Sequence, residues 1–194
     1  MKKIIIMLLF VFAIPLSAQQ VETLFGEGEI THGGFGAPVV KFTNINGQFG
    51  LLIGGRGGWV TNHQFVIGGG GYGLVNQVEG NEIINGSKRN LIFGYGGLEL
   101  EYIHEYKKLV HLTFYLLLGG GVVYYRNWWD YQGRQEDAFF IAEPAVSIET
   151  NIMKFFSAAL STSYRLTSGV EDRNLSNRDL NGLAFSVTLK FGKF

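Results

Sequence analysis

The chain has no cysteine and only three prolines. Without cysteine, no disulfide framework can hold an exported fold together and no lipid can be attached through an N-terminal thiol. There is no net charge, since 16 basic residues stand against 16 acidic ones, so the basic face that nucleic-acid binding needs is missing. Beyond the first residues no run of 18 apolar residues occurs, which excludes a membrane-spanning helix and leaves a crossing by strands open. A helical 3.6-residue period is equally hard to find. Glycine is abundant, with 28 of 194 residues, and aromatic side chains make up 14%. That combination favours strands and turns.

The first residues, MKKIIIMLLFVFAIPLSAQQ, give two lysines, an apolar stretch from Ile4 to Leu16, and then Ser17 and Ala18. This is the layout of a secretory signal peptide over residues 1–18, with cleavage expected after Ala18. About 176 residues remain, enough for one domain. Without Lys2 and Lys3 that domain is slightly acidic.

A two-residue hydrophobic period recurs over eight segments: 36–44, 47–60, 64–75, 91–104, 109–126, 138–149, 155–167 and 182–192. In the last, Leu183, Phe185, Val187, Leu189 and Phe191 share one face, with Ala184, Ser186, Thr188 and Lys190 on the other. Each segment reaches the roughly 9–11 residues that cross a bilayer when tilted. The connections 61–63, 105–108 and 150–154 are short, whereas 76–90, 127–137 and 168–181 are long and polar. The first connection, N-I-N-G at 44–47, suits a tight turn. With both termini on one side, every long loop falls on the other. A soluble sandwich has no reason to sort its loops in this way, but an outer-membrane barrel does. Residues 19–35 read as a periplasmic lead-in or an extension of the first strand.

The chain ends FGKF. Phe194 is one residue out of step with Phe185 to Phe191, and a bulge near Gly192 would bring it into phase. The alternating segments, the sorted loops and the terminal aromatic together resemble the small eight-stranded outer-membrane barrels of the OmpX/OmpA-like group. The resemblance covers residues 36–194 and is architectural. It implies an all-β fold, an eight-stranded antiparallel up-and-down transmembrane barrel in a Gram-negative cell envelope. It also implies outer-membrane lipid and lipopolysaccharide around the wall, and the barrel-assembly machinery as a partner during insertion.

The charges indicate which face is inside. Lys41, Arg56, Glu99, Glu101, Glu143, Glu149, Arg165 and Lys190 all fall on the polar faces of their segments. Four acids and four bases in one enclosure are what a sealed polar lumen requires, because buried charges must be paired. Aromatic residues mark the two rims of the apolar wall. Trp59, Tyr102, Phe156 and Phe191 lie near one rim, and Phe42, Phe49, Phe93, Tyr124 and Phe140 near the other, as in interfacial girdles. Trp128, Trp129 and Tyr131 fall in a long loop as candidates for contact with a ligand or partner.

Gly68, Gly70 and Gly73 spell G-x-G-x-x-G, the dinucleotide fingerprint. That motif needs a helix after it, and LVNQVEGNEIINGSKRN follows instead. Glycines at 54–58, 68–71, 94–97 and 119–121 would instead meet as a patch across neighbouring strands. Tyr or Phe rings, with Arg56 and Glu99, are expected to fill the space beside them. His104 and His111 flank a short turn on opposite faces, a poor geometry for a shared metal. No set of Ser, His and acid is apparent. No cofactor and no catalytic residue is expected. The function expected is that of a non-enzymatic envelope or surface protein working through its long loops. A narrow channel or carrier for small hydrophobic molecules, a lipid-modifying enzyme and a soluble lipocalin-like barrel of the periplasm are the alternatives.

Overall fold

The computed structural model describes residues 30–84, 87–125, 137–170 and 175–194, with side chains excepted over 82–87. The signal segment and Trp128, Trp129 and Tyr131 lie outside the described residues. The elements are β1 (His32–Ile45), β2 (Gln48–Thr61), β3 (Phe65–Leu74), β4 (Glu79–Ile84), β5 (Ser87–His104), β6 (Val110–Tyr125), β7 (Asp137–Met153), β8 (Phe156–Ser168), α1 (Asn177–Leu180) and β9 (Gly182–Lys193). Eight strands form a closed antiparallel ring in chain order. In it β3 pairs with β5, and β9 pairs with β1 to complete the circuit. Closure leaves no sheet edge and satisfies backbone groups strand to strand.

Along the ring strands side chains alternate between the two faces. In β9, Ala184, Ser186, Thr188 and Lys190 are buried, and Leu183, Phe185, Val187 and Leu189 are exposed. The outer wall is therefore apolar, and Phe49, Ile67, Phe140, Leu160 and Phe185 all stand at least half exposed. Tight turns close one end. Asn62 and His63 both take positive φ between β2 and β3, as short hairpins require. Glu105 (φ 54°) opens the β5–β6 turn, where the Lys108 amide donates to its carbonyl at 2.9 Å. Lys108 Nζ also sits 2.8 Å from the Glu105 carboxylate and holds that group below the usual carboxylate range. The other end carries the Asn46–Gly47 turn and the long connections.

Two of the prolines sit in the wall. Pairing of β1 with β9 stops at Gly36–Phe191 and resumes at Val39–Thr188, on either side of Pro38. Pairing of β7 with β8 stops at Ala142–Leu166 and resumes at Ala145–Ser163, on either side of Pro144. Proline has no N–H to give, so each seam lacks one ladder bond.

Four features depart from the sequence reading. Residues 79–84 form a strand, β4, pairing with the outer extension of β5, where a loop was expected. The loop before β9 contains the short helix α1. Asp179 accepts from the Ser176 amide and hydroxyl at 2.8 Å, and the Asn46 amide donates to the Asp179 carbonyl at 2.7 Å. Phe93 is only 1% exposed and stacks on Phe139 at 5.5 Å, so it faces inward and is no part of an outer girdle. There is also no bulge at Gly192. Phe35–Gly192 and Gly34–Lys193 pair in unbroken register, and the Phe194 ring lies 6.0 Å from inward-facing Phe35.

The interior has three zones. An apolar cluster including Leu52, Phe93, Leu117, Val123 and Leu180 fills the long-loop end. A second cluster, of Phe35, Val60, Val66 and Ile103 with Tyr106 and Phe194 packed against it, lies at the short-turn end. Charged residues occupy the space between.

Candidate functional site

All eight charged residues marked by parity are less than 10% exposed, inside the barrel. Seven of them connect into two groups. Lys41 Nζ donates to Glu143 at 2.7 Å, and the same carboxylate accepts from Tyr95 Oη at 2.5 Å and Ser163 Oγ at 2.6 Å. Lys41 also lies 3.5 Å from the centre of the Tyr72 ring. In the second group Arg56 bridges two acids, with Nε 2.6 Å from Glu99 and Nη2 2.5 Å from Glu101. Lys190 Nζ then links Glu101 to Glu149, at 2.6 Å to each. Tyr72 joins the groups, because its hydroxyl donates to Glu99 at 2.8 Å while its face receives Lys41. Each carboxylate has a cation within reach, which is the condition for holding ionised groups out of water.

Arg165 departs from the expected pairing. It stands across the interrupted β7–β8 seam from Glu143, yet it makes no ion pair among the described residues. Its Nε donates to the Leu180 carbonyl at 2.6 Å, and its Nη2 to the Asn44 carbonyl at 3.1 Å. Its guanidinium lies 5.0 Å from the Phe93 ring centre. Arg165 therefore ties α1 to β1, donating to the Leu180 carbonyl at the end of α1 and to the Asn44 carbonyl of β1. Arg165→Met should loosen α1, which Asn46 and Thr167 still hold. The expected cost is about 1–3 kcal/mol, that of a buried carbonyl left without its charged donor. Limited proteolysis of the folded protein should then cut within 169–181 several times faster than in the parent.

Sequence reasoning missed three ring partners, Tyr72, Tyr95 and Tyr115. They share the inward parity of the charges, and this was the available signal. Tyr115 lies 4.2 Å from the Arg56 guanidinium, a cation–π contact. The inward glycines make room for these groups. A Cβ on Gly54 would come within 2.7 Å of the Tyr72 ring, one on Gly121 within 2.7 Å of Tyr95 Cβ, and one on Gly70 would run into the Glu99 carboxylate.

The aromatic residues expected at the rims are placed as follows. Trp59, Tyr102 and Phe191 point outward near the short-turn end, and Phe156 stacks on Phe191 at 4.9 Å. Tyr124 is half-buried near the long-loop end, paired with Ile92. Among the lumen serines, Ser147 Oγ donates to Ser161 Oγ at 2.7 Å, and Ser157 Oγ to Asn151 Oδ1 at 2.8 Å. His104 is exposed while His111 is buried, as their parity requires.

No family model matches the chain, and no curated protein sequence does either. Solved structures do match its fold. Neisserial surface protein A (NspA) superposes with a TM-score of 0.61 at 9% identity, over 86% of this chain and 100% of that one. Ail, the attachment invasion locus protein of Yersinia pestis, superposes with a TM-score of 0.51 at 12% identity, over 83% and 97%. Both are eight-stranded outer-membrane barrels. The closed eight-strand ring, the inverted wall and these superpositions together give this chain the fold of the small outer-membrane β-barrels.

Proposed function

We propose that this chain is an integral outer-membrane protein of a Gram-negative cell, exported by its N-terminal signal peptide and without catalytic activity. In this reading it is closed to ions and meets its surroundings at the long-loop end. The observation that carries the reading is the inverted wall, with apolar side chains outside and eight charges inside. In water that wall would leave Phe140 78% and Leu160 65% exposed within one continuous apolar surface, whereas in a bilayer the same surface is at home. The short turns and the described ends of the chain then face the periplasm, and the long-loop end faces outward.

The filled lumen supports a closed barrel. Eight strands leave little more room than side chains occupy, and here that room holds a connected set of ion pairs capped by an apolar cluster. A surface role is also in keeping with the two structural relatives, one named a surface protein and the other an attachment invasion locus protein. Outer-membrane lipid and lipopolysaccharide would surround the wall, and the barrel-assembly machinery would insert it.

The test is gel migration of outer-membrane fractions with and without boiling, followed by reconstitution in planar bilayers. The expected result is an SDS-resistant form that shifts on boiling and gives no stepwise conductance. Steady conductance that changes in Glu101→Gln would make it a channel. Recovery in the soluble periplasmic fraction with no shift would make it a lipocalin-like carrier.

A further inference from the structure

The short-turn end of the barrel has two unlike sides. On one, the β2–β3 turn is polar, with Asn62, His63 and Gln64. Across the ring, the β5–β6 and β7–β8 turns and the first residue of β6 carry Leu109, Val110, Ile152, Met153 and Phe155, all more than half exposed. We propose that these two turns are seated in the headgroup layer of the periplasmic leaflet and bind anionic phospholipid there, an inference that rests on the outer-membrane reading above. Three observations support the assignment.

The first is the place of the apolar residues. The Asn151 amide donates to the Leu109 carbonyl at 3.0 Å and Val110 pairs with Thr150, so the two turns lie side by side. Val110 keeps the outward parity of Leu112 and Phe114. The Phe155 carbonyl accepts from the Gly192 amide at 3.0 Å, next to the stacked pair Phe156 and Phe191. Ile152 and Met153 border the barrel mouth as well. The patch is thus the lipid-facing wall continued past its aromatic rim and over the lip. In water it would be an exposed apolar surface. At a bilayer surface the same side chains reach the boundary between headgroups and acyl chains.

The second is charge. Lys154 stands between Met153 and Phe155, Lys107 and Lys108 precede Leu109, and Lys193 shares the outward parity of Phe191 at the end of β9. All four are exposed. The exposed acid beside them is Glu105, which Lys108 already holds at 2.8 Å, and the terminal carboxylate of Phe194 adds a second negative charge. Glu99, Glu101 and Glu149 are buried behind the patch and paired with Arg56 and Lys190. Glu22, Glu27 and Glu29 of the lead-in lie outside the described residues. Among the described residues Lys107, Lys154 and Lys193 therefore have no carboxylate partner. A lysine beside an inserted apolar side chain can lay its stem along the acyl boundary and hold its ammonium at the level of the phosphates, where each adds attraction to an anionic leaflet. The third observation is the contrast across the ring. The β2–β3 turn has neither a lysine nor an exposed aliphatic residue, so the two features occur together on one side and are absent together on the other.

The chain has no cysteine, so a single one can carry a fluorophore, at Met153→Cys or, as the control across the ring, at Gln64→Cys. The full protein is folded into vesicles of phosphatidylcholine and phosphatidylglycerol, with a small share of spin-labelled phosphatidylcholine whose quenching group lies just beneath the headgroup. Quenching at Met153→Cys should exceed that at Gln64→Cys several-fold. Moving the quenching group to phosphatidylglycerol should raise it at Met153→Cys by about twofold or more, and added salt should shrink that gain. Lys107→Gln with Lys154→Gln should abolish the gain while leaving the heat-shifting form intact. A heat-shifting barrel whose two labels are quenched alike overturns the proposal and leaves the outer-membrane reading standing, whereas absence of a heat-shifting form overturns both. Quenching at Met153→Cys that is the same from either lipid, or a gain that survives the double lysine change, also overturns it. Energy transfer between labelled copies, with no quenching at Met153→Cys, would give the patch to a second copy of the chain instead.

Discussion

Glu143→Leu, made alone, should unfold the barrel far more readily than Lys41→Met and Glu143→Leu made together. Glu143 is fully buried and is the carboxylate that Lys41 reaches. Its removal leaves an ammonium in a closed lumen with only a tyrosine hydroxyl at 3.3 Å and a ring face at 3.5 Å. Breaking a buried pair from one side costs about 3–5 kcal/mol, whereas replacing both members with apolar groups of similar volume is often near neutral. Here the double change still strips an acceptor from Tyr95 and Ser163, so recovery should be large but incomplete. Urea titration of the SDS-resistant form of all three proteins measures the difference. If the double variant falls as far as Glu143→Leu, charge pairing is not what makes the lumen tolerable.

The second large effect separates two kinds of glycine that the sequence does not distinguish. Gly119→Ala and Gly97→Ala place a Cβ against neighbouring backbone, the Gly96 and Leu118 carbonyls respectively. Those carbonyls belong to the β5–β6 ladder and cannot move without breaking it. Each change should cost about 3 kcal/mol or more, at or beyond the upper end for overpacking a closed structure. Gly36→Ala and Gly73→Ala point into open space and should stay within about 0.5 kcal/mol of the parent. The fraction of protein that refolds to the heat-shifting form gives the comparison directly. Equal tolerance at all four positions would mean that the strands do not approach this closely.

Most of the wall was legible because a period of two is the strongest signal a strand can carry, and β9 carries it throughout, while inward Leu117 and Val123 interrupt it in β6. The eight charges that parity puts on the polar faces are buried. The same logic misplaced Phe93. Charge marks only the middle of the lumen; its long-loop third is apolar, so in sequence an inward phenylalanine there resembles an outward one. The role of Arg165 was not legible because its acceptors are backbone carbonyls, which no composition or spacing records. α1 is a single turn of four residues within a polar stretch, too short to show a helical period. β4 pairs only with the extension of β5 and lies outside the ring whose alternation identified the other strands.

The ladder between β1 and β9 has a consequence for how connectivity and shape relate. Gly34 pairs with Lys193, so the two ends of the described chain lie side by side at one rim. Every strand of the ring has two hydrogen-bonded neighbours, and none is first or last in space. The order of synthesis is written into the sequence but erased in the finished wall. A chain begun at the β2–β3 turn, with the present ends joined, would therefore describe the same circle.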